Sequence, residues 1–397
     1  MRILQLCNKI PYPSRDGGAI AIANLTYGLS KQGHQVHVLA MNTHKHYAEP
    51  SVNLNPDASK IHLEYIAINT DISYFRLICN YLFSKTPYNA QRFVSEDFSQ
   101  ALLNVLKNES FDVIQLEGLY LYPYIRLIRQ HTNSKIAYRA HNIENAVWKR
   151  LASNSGFLKK MYFKNLAKRI ETMEKKMLAE ADFVIPISET DADILKTYNP
   201  QIKPYVIPSG KNPDKIVIKP ASTKDLFFIG SLDWLPNREG LIWFINNVWC
   251  DIYKRWPDLK FHIAGRNAPR NFSNTCAFQN IIYHGEVESS EKFIESYGIM
   301  IVPLFSGSGM RVKIIEAMAF GKPVISTTIG AEGINVTHNK ELLIANTAQE
   351  FINELNVLLN DNILFSKIEK NSFEFIRKYY NNINLCKSLS DFYMNNQ

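Results

Sequence analysis

A chain of 397 residues is longer than one ordinary hydrophobic core and fits two domains. With 46% apolar and 21% charged residues, and no run of about 18 uncharged apolar residues, it reads as a globular protein rather than a disordered or membrane-spanning one. The net charge of +8 is uneven, with 25 Lys and Arg against 18 Asp and Glu through residue 205, and 20 against 19 thereafter.

The N-terminal ILQLC is too short for the apolar core of a signal peptide. Cys7, Cys79, Cys250, Cys276 and Cys386 are odd in number, scattered and without a C-x-x-C pair, so neither a disulfide framework nor a zinc site is indicated. Both observations favour a cytoplasmic protein.

Residues 2–10 and 34–41 read as strands flanking a helix over 19–32, with Gly33 as its stop. Before that helix lies PYPSRDGG, whose Gly17-Gly18 pair permits close backbone approach by a ligand or simply makes a tight turn. Strands follow at 111–116 and 135–139, the second running into Ala140-His141-Asn142-Ile143-Glu144. A histidine at the carboxyl end of a parallel strand lies on the rim where open α/β sheets bind ligands; the alternative is a capping or packing role.

A long basic helical stretch follows, in which FLKKMYFKNLAKR interleaves Lys159, Lys160, Lys164, Lys168 and Arg169 with apolar residues. It reads equally as a surface for anionic lipid or as a solvated helix packed on its own domain. After a strand at 182–187 and a helix capped by Ser188, the turn-rich segment 205–213 marks a boundary. The expected division is an N-terminal domain 1–205, a C-terminal domain 206–375, and a final helical segment 376–397 that packs on either domain.

The second half repeats the alternation, with strands at 225–229 and 260–264 and a helix from about Arg238 between them. A further βαβ unit spans the strand 298–304, the small-residue loop Phe305–Gly309 with Met310 after it, a helix over 312–320 ended by Gly321, and a strand at 323–327. Two such arrays in series predict two doubly wound sheets.

Apolar residues surround the 312–320 helix, so its charges need a reason. One reading is an ion pair between Lys313 and Glu316, three apart. Lysine before glutamate is the weaker order, and a carboxylate late in a helix opposes the dipole, so Glu316 points to a group outside the helix. Arg311, placed in the first turn against the dipole, makes sense if an anion lies between. The loop Ser306–Gly309 with Arg311 thus reads as a diphosphate cradle, and Glu316 as an acceptor for a ribose diol.

Taken together, the segments Gly17-Gly18, His141 to Glu144, Ile187-Ser188-Glu189, FIGSLDWLPN (228–237), Ile263-Ala-Gly-Arg266 and Ser306 to Thr327 resemble a GT-B glycosyltransferase of family four. The resemblance runs through nearly the whole chain. It implies two Rossmann-like domains facing a central cleft, with the nucleotide sugar mainly on the C-terminal domain and the acceptor on the N-terminal one. It implies a retaining hexosyltransferase needing no metal and no cofactor beyond its nucleotide-diphosphate sugar.

By the same resemblance Glu316 matches the second glutamate of the family's Glu, seven residues, Glu motif, and Ser308 stands where the first belongs. The variant with a Gly-Ser-Gly loop followed by Arg and Lys is a branch of the family, which implies altered donor handling. Arg311 and Lys313 match residues that neutralise the diphosphate, and His141 one beside the donor sugar. Gly230 and Ser231 lie where Gly-Arg is common, leaving Arg266 and Arg311 to supply charge. The expected role is in bacterial surface polysaccharide biosynthesis on a glycan or lipid-linked acceptor, in the cytoplasm and peripherally on the inner membrane face.

Two other functions compete. A sugar-nucleotide epimerase of the same architecture acts on the donor alone, and a degenerate transferase binds a nucleotide sugar without turnover, for which Ser308 is the support. Nucleic-acid binding is disfavoured because the positive charge is interleaved with apolar residues and no known module appears.

Overall fold

Among the described residues, the apolar runs form parallel strands in two six-stranded sheets. The first contains β1 (Arg2–Cys7), β2 (Gln35–Thr43), β3 (Ile61–Ile68), β4 (Val113–Glu117), β5 (Lys135–Ala140) and β6 (Phe183–Pro186). The second contains β7 (Leu226–Ile229), β8 (Phe261–Ala264), β9 (Ile281–Gly285), β10 (Ile299–Val302), β11 (Val324–Ser326) and β12 (Leu343–Ile344). The computed structural model describes residues 1–14, 16–44, 47, 60–153, 155–213, 216, 218, 223–270, 272, 276, 279–307 and 309–396, and the backbone only of Leu158.

The strand orders are β3-β2-β1-β4-β5-β6 and β12-β11-β10-β7-β8-β9. Renumbered from β7, the second sheet has the same 3-2-1-4-5-6 order as the first, so each is a complete Rossmann-like array. The order reverses between β1 and β4 in one sheet and between β7 and β10 in the other. Loops leaving the carboxyl ends of these neighbours diverge to opposite faces and leave a crevice, which is where α/β sheets hold ligands.

The chain divides into one unit of Met1–Ser209 with Asn382–Gln397 and a second of Gly210–Asn381. The first change of unit thus falls at 209/210, a few residues past the expected 205/206. Residue 375, the expected end of the C-terminal domain, lies inside the helix Asn362–Tyr379, and the chain returns to the first unit only at Asn382.

In the first unit the helix Gly17–Lys31 covers one sheet face with Ile22, Leu25 and Leu29, beside Cys386, Leu389 and Tyr393 of the last helix, Asn382–Asn395. The other face carries Phe98, Leu102, Ile170 and Met173 from the helices Glu96–Asn108 and Phe157–Glu180. Gly33 and Gly321 follow their helices with φ of 92° and 68°, the left-handed turn that ends a helix with little cost only at glycine.

Candidate active site

In the second unit the site is built at the β7/β10 switch point. β7 leads through Gly230 and Ser231 into the helix Leu235–Phe244, while β10 leads through Pro303 to Arg311 into the helix Val312–Ala319. A Cβ on Gly240 would stand 2.0 Å from the carbonyl oxygen of Pro303, so glycine there lets the first helix lie against the strand that enters the site loop. Where FIGSLDWLPN passes Lys313, a Cβ at Gly230 would meet its Nζ at 2.9 Å.

Lys313 does not pair with Glu316. Its Nζ donates to Asn237 Oδ1 at 2.8 Å and lies 4.0 Å from the centre of the Phe228 ring, while Asn237 Nδ2 donates to the Ser231 carbonyl at 2.8 Å. Burial, reinforced by the Arg311 cation, pushes the Lys313 pKa well down. Arg311 is the residue before the helix, extended at φ −86° and ψ 90°, rather than in its first turn. Its guanidinium donates to the Gly309 carbonyl and lies 5.2 Å from the Trp234 ring centre. Arg266 Nε donates to Ser231 Oγ at 3.3 Å, and Ser231 Oγ to Asp233 at 2.5 Å. Met310 is buried beside Arg311, and Ser308 lies outside the described residues.

The group that meets Glu316 is Lys211, which enters from the segment that opens this unit. Its Nζ lies 3.5 Å from Glu316 Oε1 and 2.6 Å from Glu291 Oε1. Burial, aided by Glu291, raises the Glu316 pKa despite Lys211. Burial pulls Lys211 down, but Glu316 and Glu291 together hold it above the ordinary lysine value. Lys211 and Asn237 were not singled out from sequence. Asn237 lies within FIGSLDWLPN, but only the fold shows that it is buried, and Lys211 lies in a turn-rich stretch with little periodicity.

Gly17, Gly18 and His141 belong to the first unit, where the rim of β1, β4 and β5 carries a second polar cluster. The helix after β1 begins at Gly17, but its N-terminus has an anion of its own: Asp16 accepts from Ala19 N at 2.8 Å and pairs with Lys9 Nζ at 2.8 Å. His141 follows β5, and its Nε2 lies 2.7 Å from Oε2 of the buried Glu117, the last residue of β4. Burial alone would raise the Glu117 pKa, yet hydrogen bonds from His141 and Gln115 and the charge of Arg139 bring it below the ordinary carboxylate value. Ionised Glu117 can only accept, so it fixes the His141 proton on Nε2 and leaves Nδ1 as the acceptor of the neutral ring.

The segment carrying His141 is anchored by Glu174, which accepts from Glu144 N at 2.7 Å and from Asn145 N at 3.4 Å; burial pushes its pKa up to about 7. Glu144 itself accepts from Tyr120 at 2.7 Å. Glu117 and Glu174 escaped the sequence reading because each looks like an ordinary surface charge until the fold buries it.

Residues 15–215 match the family model described as Glycosyltransferase Family 4, and residues 223–361 match one described as Glycosyl transferases group 1. The chain is 27% identical over 98% of both sequences to an "Uncharacterized 44.6 kDa protein in cps region" of Klebsiella pneumoniae. Among solved structures, sucrose-phosphate synthase of Thermosynechococcus elongatus superposes with a TM-score of 0.74 at 16% identity, covering 100% of this chain and 99% of that one. Anabaena Alr3699/HepE in complex with UDP gives 0.67 at 12% identity over 100% of each chain, and S. aureus TarM gives 0.70 at 10% over 99% of each. These likenesses carry the fold. The model matched across the first half, two Rossmann-like arrays of one topology and a polar site at each switch point agree: the chain is a GT-B glycosyltransferase and belongs to glycosyltransferase family 4.

Proposed function

We propose that this glycosyltransferase moves a sugar from a nucleoside diphosphate donor, with retention at the anomeric carbon, to a glycan or lipid-linked acceptor in surface polysaccharide synthesis. The observation that carries the donor reading is the Val312–Ala319 helix. Its N-terminal end has Arg311 and Lys313, and the buried carboxylate of Glu316 follows roughly 4.5 Å further along the axis. Cations and a helix N-terminus suit a diphosphate, and a buried carboxylate suits the two hydroxyls of a ribose. The Klebsiella relative from a cps region supports the polysaccharide assignment, and HepE, solved with UDP and with UDP-glucose, makes UDP the first nucleotide to test.

Breaking the anomeric C–O bond sends its electron pair to the diphosphate, and Arg311 and Lys313 oppose the charge that develops there. The acceptor hydroxyl attacks the face from which the diphosphate leaves and gives its proton to the departing phosphate oxygen. His141 is assigned a sugar hydroxyl, accepted at Nδ1. The test is a thermal-shift series with UDP, GDP, CMP and TDP on wild type and Glu316→Gln. A nucleotide at about 100 times its Kd adds about 2.7 kcal/mol to wild type; the variant should lose most of the shift. No shift with any nucleotide in a folded sample rejects the donor site, and an inverted anomeric signal in the product rejects retention.

A specific surface favours the lipid-linked form of the acceptor. The helix Tyr74–Phe83 exposes Tyr74, Phe75, Ile78 and Leu82, with Phe75 77% and Leu82 62% accessible. Arg169 ties it to the Phe157–Glu180 helix by donating to the carbonyls of Asn80 at 3.0 Å and Tyr81 at 2.7 Å. That helix exposes Phe157, Met161, Lys164 and Lys168 at i, i+4, i+7 and i+11. Apolar side chains flanked by lysines suit an anionic bilayer surface. No helix among the described residues is long and apolar enough to cross a membrane. Sedimentation with phosphatidylglycerol vesicles should fall for Phe75→Ser/Leu82→Ser and for Lys164→Glu/Lys168→Glu; binding unchanged in both discards the membrane reading.

A further inference from the structure

Strands β2 and β3 carry a cluster that the transfer reaction does not use. Their parallel register sets His37 opposite His62, and Glu64, two residues beyond His62, shares its face. One ligand atom from each of His37, His62 and Glu64 lies within 4.8 Å of the others. His37 is buried, whereas His62 is exposed and Glu64 half-buried, so a cation has an open approach.

The tautomer of His37 is fixed from behind. Its Nδ1 lies 3.1 Å from Glu109 Oε1, and Arg2 holds the same carboxylate through its other oxygen. A carboxylate only accepts, so the proton sits on Nδ1 and the lone pair of Nε2 faces the cluster. Among the described residues that buried Nε2 has no hydrogen-bond partner, although it lies 3.7 Å from Glu64 Oε2. A buried nitrogen lone pair aimed at a second imidazole and a carboxylate, with a carboxylate behind the first ring, is the arrangement that orients histidine ligands to transition metals.

We propose that His37, His62 and Glu64 form a binding site for a divalent cation of the zinc type, with water completing the coordination. Two imidazoles and one carboxylate suit zinc, cobalt or nickel rather than magnesium or calcium. Modest rotation of the two accessible side chains brings the three atoms to ligand distance, and Glu109 supports the His37 ring. His37 lies near the start of β2, away from the carboxyl strand ends of its own sheet where the His141 cluster sits, so the cation acts structurally: it clips the edge strand β3 to β2. The inference is independent of the donor assignment.

The experiment uses the full chain, freed of metal with a chelator. Zinc is titrated with thermal-shift and hydrogen-exchange readouts, and cobalt with its visible absorption. Wild type should bind one zinc at this site, melt higher with it, and show slower exchange over residues 61–68. His62→Ala, at an exposed position that leaves the fold intact, should lose the β3 protection and the cobalt band. Glu109→Gln should weaken zinc roughly 10–100-fold. The proposal is overturned if wild type gains no β3 protection from zinc, or if His62→Ala binds and responds as wild type does.

Discussion

Lys313 is held in the folded protein at a cost to its charged form. Burial next to Arg311 lowers its pKa well below the ordinary lysine value, so the folded protein holds that proton less tightly than the unfolded chain. The penalty is greatest at low pH and fades as pH rises toward the ordinary lysine range. On the donor assignment proposed above, a bound diphosphate would reverse the balance by placing an anion beside the ammonium. At pH values above the Lys313 pKa of the free protein, nucleotide binding is expected to take up a proton and affinity to fall as pH climbs. Calorimetry in buffers of different ionisation enthalpy checks this; heats that do not vary with buffer remove Lys313 as the linked group. Lys313→Met should raise the apo melting temperature and weaken nucleotide binding by about 1.5–3 kcal/mol, the worth of a hydrogen bond to a charged group. Glu316 has the opposite sign of shift and the same consequence. Its folded pKa is raised, so its contribution is most favourable below the ordinary carboxylate range and is lost as pH rises through the folded value. The folded environment thus disfavours the charged forms of both groups of one short helix, the forms that the proposed donor site would use.

Packing of the site elements leaves no slack at Gly240. A methyl group there would overlap the Pro303 carbonyl, and backbone, unlike the end of a long side chain, yields only by moving a strand or a helix. Gly240→Ala is expected to cost about 1–3 kcal/mol, as overpacking does, and to weaken nucleotide binding because Pro303 leads into the Arg311 loop. Urea unfolding with and without UDP measures both; an unchanged midpoint contradicts the packing argument. Central strands were legible in sequence because both their faces are covered, which gives continuous apolar runs such as those of β1, β4 and β10. The edge strands β3 and β9 and the two-residue β12 were not. β3 and β9 are largely half-exposed, with exposed positions among them, and read as mixed-polarity segments.

The whole molecule adds a connection that no local pattern carries. The helix Asn382–Asn395 completes the first unit after the chain has built all of the second. Tyr393 donates to Gln115 at 2.7 Å, Asn382 to the Asn24 carbonyl at 2.6 Å, and His34 lies 2.6 Å from Ser390. Removing residues 382–397 uncovers Leu25 and Leu29 and orphans these polar groups, so calorimetry should show the first unit melting earlier and the second unchanged. Equal shifts in both would mean that they unfold as one. The sequence by itself determined the fold class, the small-residue loop that precedes the Val312–Ala319 helix, and that Lys313 and Glu316 are charges on an otherwise apolar helix, since periodicity and the cost of burying charge are local. Only the tertiary structure decided that Lys211 meets Glu316, that Asn237 receives Lys313, that Glu117 sets the His141 tautomer, and that His37 faces His62. Each of those pairs joins residues distant in sequence, and strand register and helix docking, not composition, bring them within reach.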